Sequence, residues 1–486
     1  MGLALFVVAL LVILLYVFLN KGIMLHIVSI TSATLFLVIA FILTRGIIET
    51  GAAYSLNFIY IDALSIMILD IVLLVGWVAS IYSVGYLEEE LKRGKVDVRK
   101  IKYYYFLMAF FNLSMILVLT AKNMGIMWIG IEMTTLASVF LVSFYNKRKD
   151  LEAAWKYVII CLVGIALALL GIIFLHLSSV NVLNEANLLS WPDLFAHAEA
   201  LSSPILKLAF IFVLVGFGTK AGLAPMHTWL PDAHSQAPSP VSALLSGVLL
   251  NTSMYGIIRT VIIINKNLGS STYTGNLLIA VGIISMLIAG ISMLTQKDYK
   301  RMLAYSSIEH MGIIAVAIGL FTPVAIWGGL FHMINHSLTK SMLFFSSGEI
   351  YLRFRSKRIA RVRGLLQALP IIGTVFFLGL FAIAGMPPFS VFASEFTIIT
   401  AIFAEGHMLL GALMIFLLGL VFVAIVLVLF RMVFGEDNSE EKTFTGNRYT
   451  HVLLALILIV ILIGGLYLPA EINQLITQAQ EIIIGG

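Results

Sequence analysis

The chain has 486 residues, 60% hydrophobic and 11% charged, with 30 Lys and Arg against 25 Asp and Glu and a formal net charge of +5. Its mean hydropathy of +1.04 lies far outside soluble domains, which are about 45–50% apolar and about 25% charged. A soluble domain is excluded, nucleic acid is not the reason for the basic balance, and an integral membrane protein remains.

Apolar runs of about 20 residues, the length that crosses a hydrocarbon core, recur from end to end. They predict spans over 3–19, 24–43, 63–85, 104–121, 124–145, 156–177, 205–223, 242–264, 276–295, 302–321, 323–347, 369–402, 407–434 and 452–468. The fold class is therefore an all-α polytopic membrane bundle of about 14 transmembrane helices. The first run, Leu3 to Leu19, has no basic flank and no small-residue cleavage site, so it reads as a retained helix with the mature chain starting at Met1. The single cysteine, Cys161, excludes disulfides. It cannot alone hold an iron–sulfur cluster, which takes about four thiolates.

The loops after odd-numbered spans carry Lys21; Lys92, Arg93, Lys95, Arg99, Lys100 and Lys102; Lys147, Arg148, Lys149 and Lys156; Lys297, Lys300 and Arg301; Arg353, Arg355, Lys357, Arg358, Arg361 and Arg363; and Lys442 and Arg448. These are 22 of the 30 basic residues. The positive-inside rule puts them in the cytoplasm and both termini outside. The loop 178–204, with Glu185, Asp193 and Glu199, then falls on the outer side.

Two spans are interrupted. Ala221-Gly222-Leu223-Ala224-Pro225 follows Lys220, and Ala384-Gly385-Met386-Pro387-Pro388 precedes Glu395. Proline removes a backbone donor and clashes with the preceding turn, so each helix should break there. Broken helices survive in a membrane only where protein or water satisfies their freed backbone groups. The breaks lie an odd number of spans apart, so their surroundings have opposite orientation, as in inverted-repeat transporters whose discontinuous helices flag the transport site.

Ionisable residues at bilayer depth cost several kcal/mol and mark ion pathways. Glu132 lies about eight residues into its span and Lys220 just before the first break. A buried carboxyl with a cationic partner can load and release a proton, and a desolvated lysine can exchange one. A structural Glu and a snorkelling Lys are the plainer readings. His332, His336 and Lys340 recur every four residues and share one helix face. Two imidazoles and an amine there suit a proton wire; the plainer reading is a static polar stripe. The His332 to His336 segment lacks the Glu of a zinc-protease motif, so no metal is assigned. Glu309 and His310 extend the polar path, and Glu395 is the exit-side acceptor. Asp70 and Arg259 also lie in or near spans but no second feature supports them. Gly216-Phe217-Gly218-Thr219-Lys220 lacks phosphate-loop spacing, which excludes nucleotide binding.

The segment Gly218-Thr219-Lys220-Ala221-Gly222-Leu223-Ala224-Pro225-Met226-His227-Thr228-Trp229-Leu230-Pro231-Asp232-Ala233-His234, continuing through Pro238 to Leu244, resembles the signature of the antiporter-like subunits of respiratory complex I, Mrp antiporters and membrane-bound hydrogenases. Lys300 to Ser307 and His332 to Lys340 support the resemblance, which covers essentially the whole chain. It implies fourteen helices with two inverted five-helix repeats, broken helices 7 and 12, and a central polar axis that conducts protons. The corresponding organisation is 1–103 as three N-terminal helices, 104–265 and 266–434 as the repeats, and 435–486 as a final helix and tail. Glu132 matches the fifth-helix glutamate, Lys220 the seventh-helix lysine and Glu395 the terminal charge of the twelfth helix.

There are departures. Asn251 stands where some relatives place a bridging lysine, and Ser246 where others place histidine. Asparagine holds no proton near neutral pH, so transfer between the halves needs water or another route. The chain is expected to stop soon after its last span, without the long lateral helix of some relatives. Ser307-Ile308-Glu309-His310-Met311-Gly312 and the length most resemble the hydrogenase 4 and formate hydrogenlyase type subunits.

The resemblance thus implies a proton-translocating subunit of a multisubunit redox-driven complex in the cell membrane, with no cofactor of its own. Iron–sulfur clusters and a metal centre are expected in partner membrane and peripheral subunits. Sodium/proton exchange in an Mrp-like assembly is one alternative, distinguished by sodium uptake into vesicles. A transport-silent structural subunit is another, for which Asn251 is the best argument.

Overall fold

The structure, a computed structural model, describes residues 2–437, 439 and 444–485. Met1 and Lys442 lie outside the described residues. The chain enters as α1 (Gly2–Phe18) and α2 (Gly22–Thr50), then forms a short antiparallel hairpin of β1 (Tyr54–Leu56) and β2 (Ile59–Ile61) that the hydropathy pattern did not announce. There follow α3 (Ala63–Lys92), α4 (Val98–Thr120), α5 (Met124–Val142), α6 (Arg148–Ser179), the short α7 (Trp191–Ala196), α8 (Ser203–Ala221) and α9 (Trp229–Gln236). Next, α10 (Ser239–Leu244) runs through a π-helical turn, Leu245–Leu249, into α11 (Leu250–Leu268). The remainder is α12 (Thr272–Leu294), α13 (Tyr299–Leu320), α14 (Pro323–Phe354), the single turn α15 (Leu365–Ala368), α16 (Pro370–Ile383), α17 (Ser390–Ala404), α18 (Met408–Val433), α19 (Arg448–Leu466) and α20 (Ala470–Ile484).

Among the described residues, eleven helices or continuous helical runs are long and apolar enough to cross a membrane. The predicted spans at 3–19, 323–347 and 369–402 correspond to α1, to α14 and to α16 with α17. These differ from the eleven for physical reasons. α1 has 17 residues, the halves α16 and α17 are short, and α14 carries two histidines and a lysine. That polar content makes α14 an interior helix: it packs against α3, α10, α13, α16, α17, α19 and α20. Residues such as Leu10, Phe18, Trp155, Phe416 and Val460 expose broad apolar faces on the outer helices, as a lipid-facing surface requires.

Side chains fix several helix starts. Asp62, Asp97, Asn123, Asp298 and Thr322 each accept a hydrogen bond from the first turn of α3, α4, α5, α13 and α14 respectively, satisfying donors that a helix N-terminus leaves open.

Both helix breaks occur where the sequence places them, with the same hydrogen-bond pattern. Gly222 and Gly385 are left-handed, with φ of 79° and 68°. At the first break Leu223 N donates to Gly218 O (2.8 Å) and Gly222 N to Thr219 O (3.3 Å). At the second, Met386 N donates to Phe381 O (3.2 Å) and Gly385 N to Ala382 O (3.2 Å). Each is a Schellman closure, which pairs the last carbonyls and favours glycine at the left-handed position.

The basic loops gather at one end of the bundle. Arg93 donates to Leu352 O (3.0 Å), Lys357 to Ser235 O (2.5 Å), and Arg301 and Lys156 both contact Asp232. Lys102 joins the first connection there, through Val17 O at 2.7 Å.

Two stretches read as irregular are partly ordered. The 178–204 connection contains α7, whose Trp191 is buried. The tail after α19 forms the amphipathic α20, which buries Leu475, Ile476, Ala479 and Ile483 and packs on α3 and α14.

Candidate functional site

The residues singled out from sequence lie in two clusters linked through the bundle interior. The first is built by α5, α6 and α8. Lys220, in the last turn of α8, is 3% exposed. Its Nζ donates to Thr135 Oγ1 on α5 (2.9 Å) and to the Tyr157 hydroxyl on α6, and lies 4.6 Å from the centroid of the Tyr157 ring. Tyr157 is held in turn by Ser138 at 2.6 Å. Glu132 stands one turn before Thr135 on α5, half-buried, with Oε2 lacking a partner among the described residues. The amine is thus seated on hydroxyls rather than clamped by the carboxylate.

The second cluster lies among α13, α14, α16 and α17. His332, His336 and Lys340 share one face of α14, as their spacing requires, and all are fully buried. Lys340 donates to Leu303 O (3.0 Å) and to Ser306 on α13. His310 Nε2 faces the Ile383 carbonyl (3.1 Å), an acceptor only, so that nitrogen carries hydrogen. In the neutral ring His310 Nδ1 is then the acceptor for His332 Nε2 at 2.9 Å. His332 Nδ1 in turn receives the Ser394 hydroxyl at 2.9 Å. That hydroxyl has a second acceptor, Val391 O at 2.8 Å, so it can turn away when His332 takes up a proton. Among the described residues neither ring nitrogen of His336 finds a partner, and its ring lies 5.4 Å from that of His310.

Two carboxylates flank His310. Glu309 Oε2 is 3.6 Å from Nε2, and Glu395 Oε1 is 3.9 Å from Nδ1. A side chain at Gly385 would collide with the Glu395 carboxylate. The second break therefore makes room for the acid.

His310, His332 and Glu395 offer three donor atoms within 4.8 Å of one another. A tetrahedral zinc, with bonds of about 2.0 Å to nitrogen, would have to part the hydrogen bond that joins the two rings.

Asn251, the departure from the expected lysine, donates to Met333 O (3.1 Å) and Ser337 Oγ (2.8 Å) on α14, and its Oδ1 has no partner among the described residues. Ser246 bonds Ser307 on α13 at 2.7 Å. The amide and hydroxyl cross-link α10–α11 to the second cluster.

Several participants were not identified from sequence. Thr135, Ser138, Tyr157, Ser306 and Ser394 are ordinary hydroxyl residues whose role depends on the partner helix. His310 was assigned only an accessory place but is the hub of the second cluster. Arg259, set aside for want of a second feature, is fully buried against Asp62 (2.5 Å), with its guanidinium 3.9 Å from the Trp191 ring centroid. Asp70 is half-buried and accepts from Thr44 at 2.7 Å.

Comparison with known proteins adds the following. Residues 121–423 match the family described as NADH:quinone oxidoreductase/Mrp antiporter, TM. Residues 50–95 match the N-terminus of complex I chain 5. A Hydrogenase-4 component F homolog of Methylacidiphilum infernorum is 38% identical over 422 residues, which is 86% of this chain and 87% of that protein. In fold, the chain resembles one in the membrane-bound sulfane sulfur reductase, an archaeal respiratory membrane complex (TM-score 0.85, 23% identity, 99% of this chain and 97% of that one). It likewise resembles one in the Mrp complex of Dietzia sp. DQ12-45-1b (TM-score 0.86, 19% identity, with the same coverage).

Proposed function

The chain belongs to the NADH:quinone oxidoreductase/Mrp antiporter transmembrane family, and from that premise we propose that protons move along the Glu132, Lys220, Lys340, Glu309, His336, His310, His332 and Glu395 series. It is an antiporter-like, ion-transporting membrane subunit of the complex I and membrane-bound hydrogenase group. The observation that carries the proton reading is the second cluster, where two imidazoles, a serine and two carboxylates meet in the bundle interior. Such groups are expensive to bury and are kept where they serve a pathway.

In this reading Glu132 sets the charge of Lys220, since a carboxylate near a buried amine favours its protonated form. Loss of that charge releases a proton toward the second cluster, where Lys340 receives it. His336, His310 and His332 relay it to Glu395, which exchanges with one bulk phase. Counting α1, α14 and the interrupted α16–α17 as crossings gives about fourteen, with the repeats at 104–265 and 266–434. The matching closures at Gly222 and Gly385 support their inverted relation. The gathering of basic loops at one end favours that end as cytoplasmic and both termini as outside. The similarity to a Hydrogenase-4 component F homolog favours a hydrogenase assembly whose clusters and metal centre reside in partner subunits.

The test is proton uptake by inverted vesicles containing the assembled complex, wild type against Lys220→Ala, with electron transfer recorded in parallel and sodium varied. A loss of protons taken up per electron is expected. Wild-type stoichiometry in the variant would make the chain a scaffold, and sodium uptake would favour exchange.

A further inference from the structure

Apart from both clusters, a cavity of about 600 Å³ opens at the basic end, between the end of α3 and the start of α19. Its walls carry charge of both signs. Glu88, Glu89, Lys92 and Arg93 come from the last turns of α3, Glu349 from α14 and Arg448 from the first turn of α19. Arg93 is committed: it pairs with Glu89, donates to Leu352 O at 3.0 Å and lies 5.3 Å from the Phe444 ring centroid. Glu88, Lys92 and Arg448 stand exposed at the rim. Glu349 differs from all of these. It is 2% exposed yet forms part of the wall, and its Oε2 has no partner among the described residues. Arg353, one turn further along α14, is engaged by Phe444 O (2.8 Å) and Asp437 (3.0 Å). A buried carboxylate oxygen calls for a donor. A side chain at Gly446, where φ is 84°, would approach Oε2 to 3.1 Å, so glycine keeps that part of the wall clear.

Two apolar stripes leave this cavity toward the middle of the bilayer. On α3, Ile81, Trp77 and Leu74 succeed Gly85 at steps of four, four and three residues, which keeps them on its face of the helix. On α19, Val452, Leu456 and Ile459 succeed Arg448 at the same steps. Val452, Leu456 and Ile459 are exposed, as is Leu74, while Trp77 and Ile81 are half-buried. The two helices touch, so a polar cavity of mixed charge at the membrane boundary continues into an apolar groove. A small soluble ion would use the cavity alone. A molecule with a zwitterionic head and hydrocarbon chains uses both.

We propose that cavity and groove form one phospholipid site, which takes an ethanolamine headgroup with its ammonium on Glu349 and its phosphate on Lys92 and Arg448, and lays an acyl chain between α3 and α19. The primary ammonium carries three N–H donors, which the Glu349 carboxylate accepts. The phosphate accepts charge-assisted hydrogen bonds from the two cations at the rim, as basic pockets at a membrane face do for lipid headgroups. A choline headgroup has the same charges but no N–H to give Glu349, and a glycerol headgroup has no cation at all. The carboxylate therefore selects the ethanolamine lipid, while the stripes hold any chain.

The experiment places the assembled complex in phosphatidylcholine vesicles doped with phosphatidylethanolamine that bears a photoreactive diazirine on one acyl chain, and maps the labelled peptides by mass spectrometry. Labels are expected on the stripes at 74–85 and 448–459. Unlabelled phosphatidylethanolamine should displace them about tenfold more effectively than added phosphatidylcholine, as one hydrogen bond to a charged group implies. Glu349→Gln should erase that preference. Should this variant fail to assemble, Thr445→Trp decides, because Thr445 is an exposed residue of the cavity and the indole would fill the headgroup space; labelling is then expected to vanish from both stripes. Equal competition by the two lipids would make the groove a seat for annular lipid and overturn the proposal, as would a preference that survives Glu349→Gln or labelling that survives Thr445→Trp. Displacement by free phosphoethanolamine as effective as by the lipid would reassign the cavity to a soluble ligand. Absence of label from both stripes would mean that a partner helix covers the groove, which also overturns the lipid site.

Discussion

His310 Nδ1 lies 2.9 Å from His332 Nε2, which joins α13 to α14 by a hydrogen bond between two imidazoles. The Ile383 carbonyl fixes the tautomer of the first ring, and the Ser394 hydroxyl completes the second. A proton arriving on either ring must reverse that order, so the pair passes charge only with a concerted turn of Ser394. The predictions below probe this relay and the packing around it.

His332→Leu removes the partner of His310 Nδ1, while the Ser394 hydroxyl keeps Val391 O as acceptor at 2.8 Å. Leaving one such buried group unpaired costs about 1–3 kcal/mol. The variant should assemble with lowered thermal stability and lose at least nine-tenths of its proton uptake per electron, as about 1.4 kcal/mol or more at a single transfer step implies. Ser394→Ala should retain more uptake than His332→Leu, because the ring-to-ring bond survives. Equal uptake in these two variants would reject the relay order.

Tyr157→Phe deletes one of two hydroxyls that hold the Lys220 amine while leaving Thr135 at 2.9 Å. One hydrogen bond is worth about 1 kcal/mol, which corresponds to a several-fold change in protonation equilibrium. Proton uptake should fall several-fold, with the loss deepened by adding Thr135→Val. Additive, independent losses in the double variant would argue against a shared seat for the amine.

Arg259→Met strands the Asp62 carboxylate in the interior. Breaking one side of a buried pair costs about 3–5 kcal/mol, so thermal unfolding in detergent should shift sharply downward. Adding Asp62→Asn removes the stranded charge yet keeps an N-cap oxygen for Ser65. More than half the loss should return. If the double variant melts no higher than Arg259→Met, the pair is not the cause.

Gly385→Ala forces a left-handed φ of 68° on a residue with a side chain and drives its methyl into the Glu395 carboxylate. The backbone penalty alone is about 1–2 kcal/mol. Proton uptake should fall, whereas Gly419→Ala on α18, whose methyl meets nothing within 4 Å among the described residues, should leave it unchanged. Identical behaviour of the two variants would dissociate Glu395 from the break.

Much of this was legible because it follows local rules. Ala-Gly before proline announces a break, a four-residue recurrence puts His332, His336 and Lys340 on one face, and clustered Lys and Arg mark one set of loops. The missing parts are pairings across distant elements. Arg259 meets Asp62 from 197 residues away, and Tyr157 reaches Lys220 across 63. No spacing rule connects them. α20 was overlooked because its apolar residues occupy one stripe of a short helix, a pattern weaker than a spanning run.

The widened turn at Leu245–Leu249 has a consequence for how the halves recognise each other. A π-turn interrupts the ordinary four-residue ladder, and within it the Gly247 carbonyl accepts the Ser337 hydroxyl of α14 at 2.6 Å. The junction is therefore written partly in main chain, where side-chain substitution leaves the acceptor in place. Inserting or deleting a single residue in 245–249 would rephase everything downstream by about 100°. The number of residues in this turn therefore constrains the junction as firmly as the side chains that meet there.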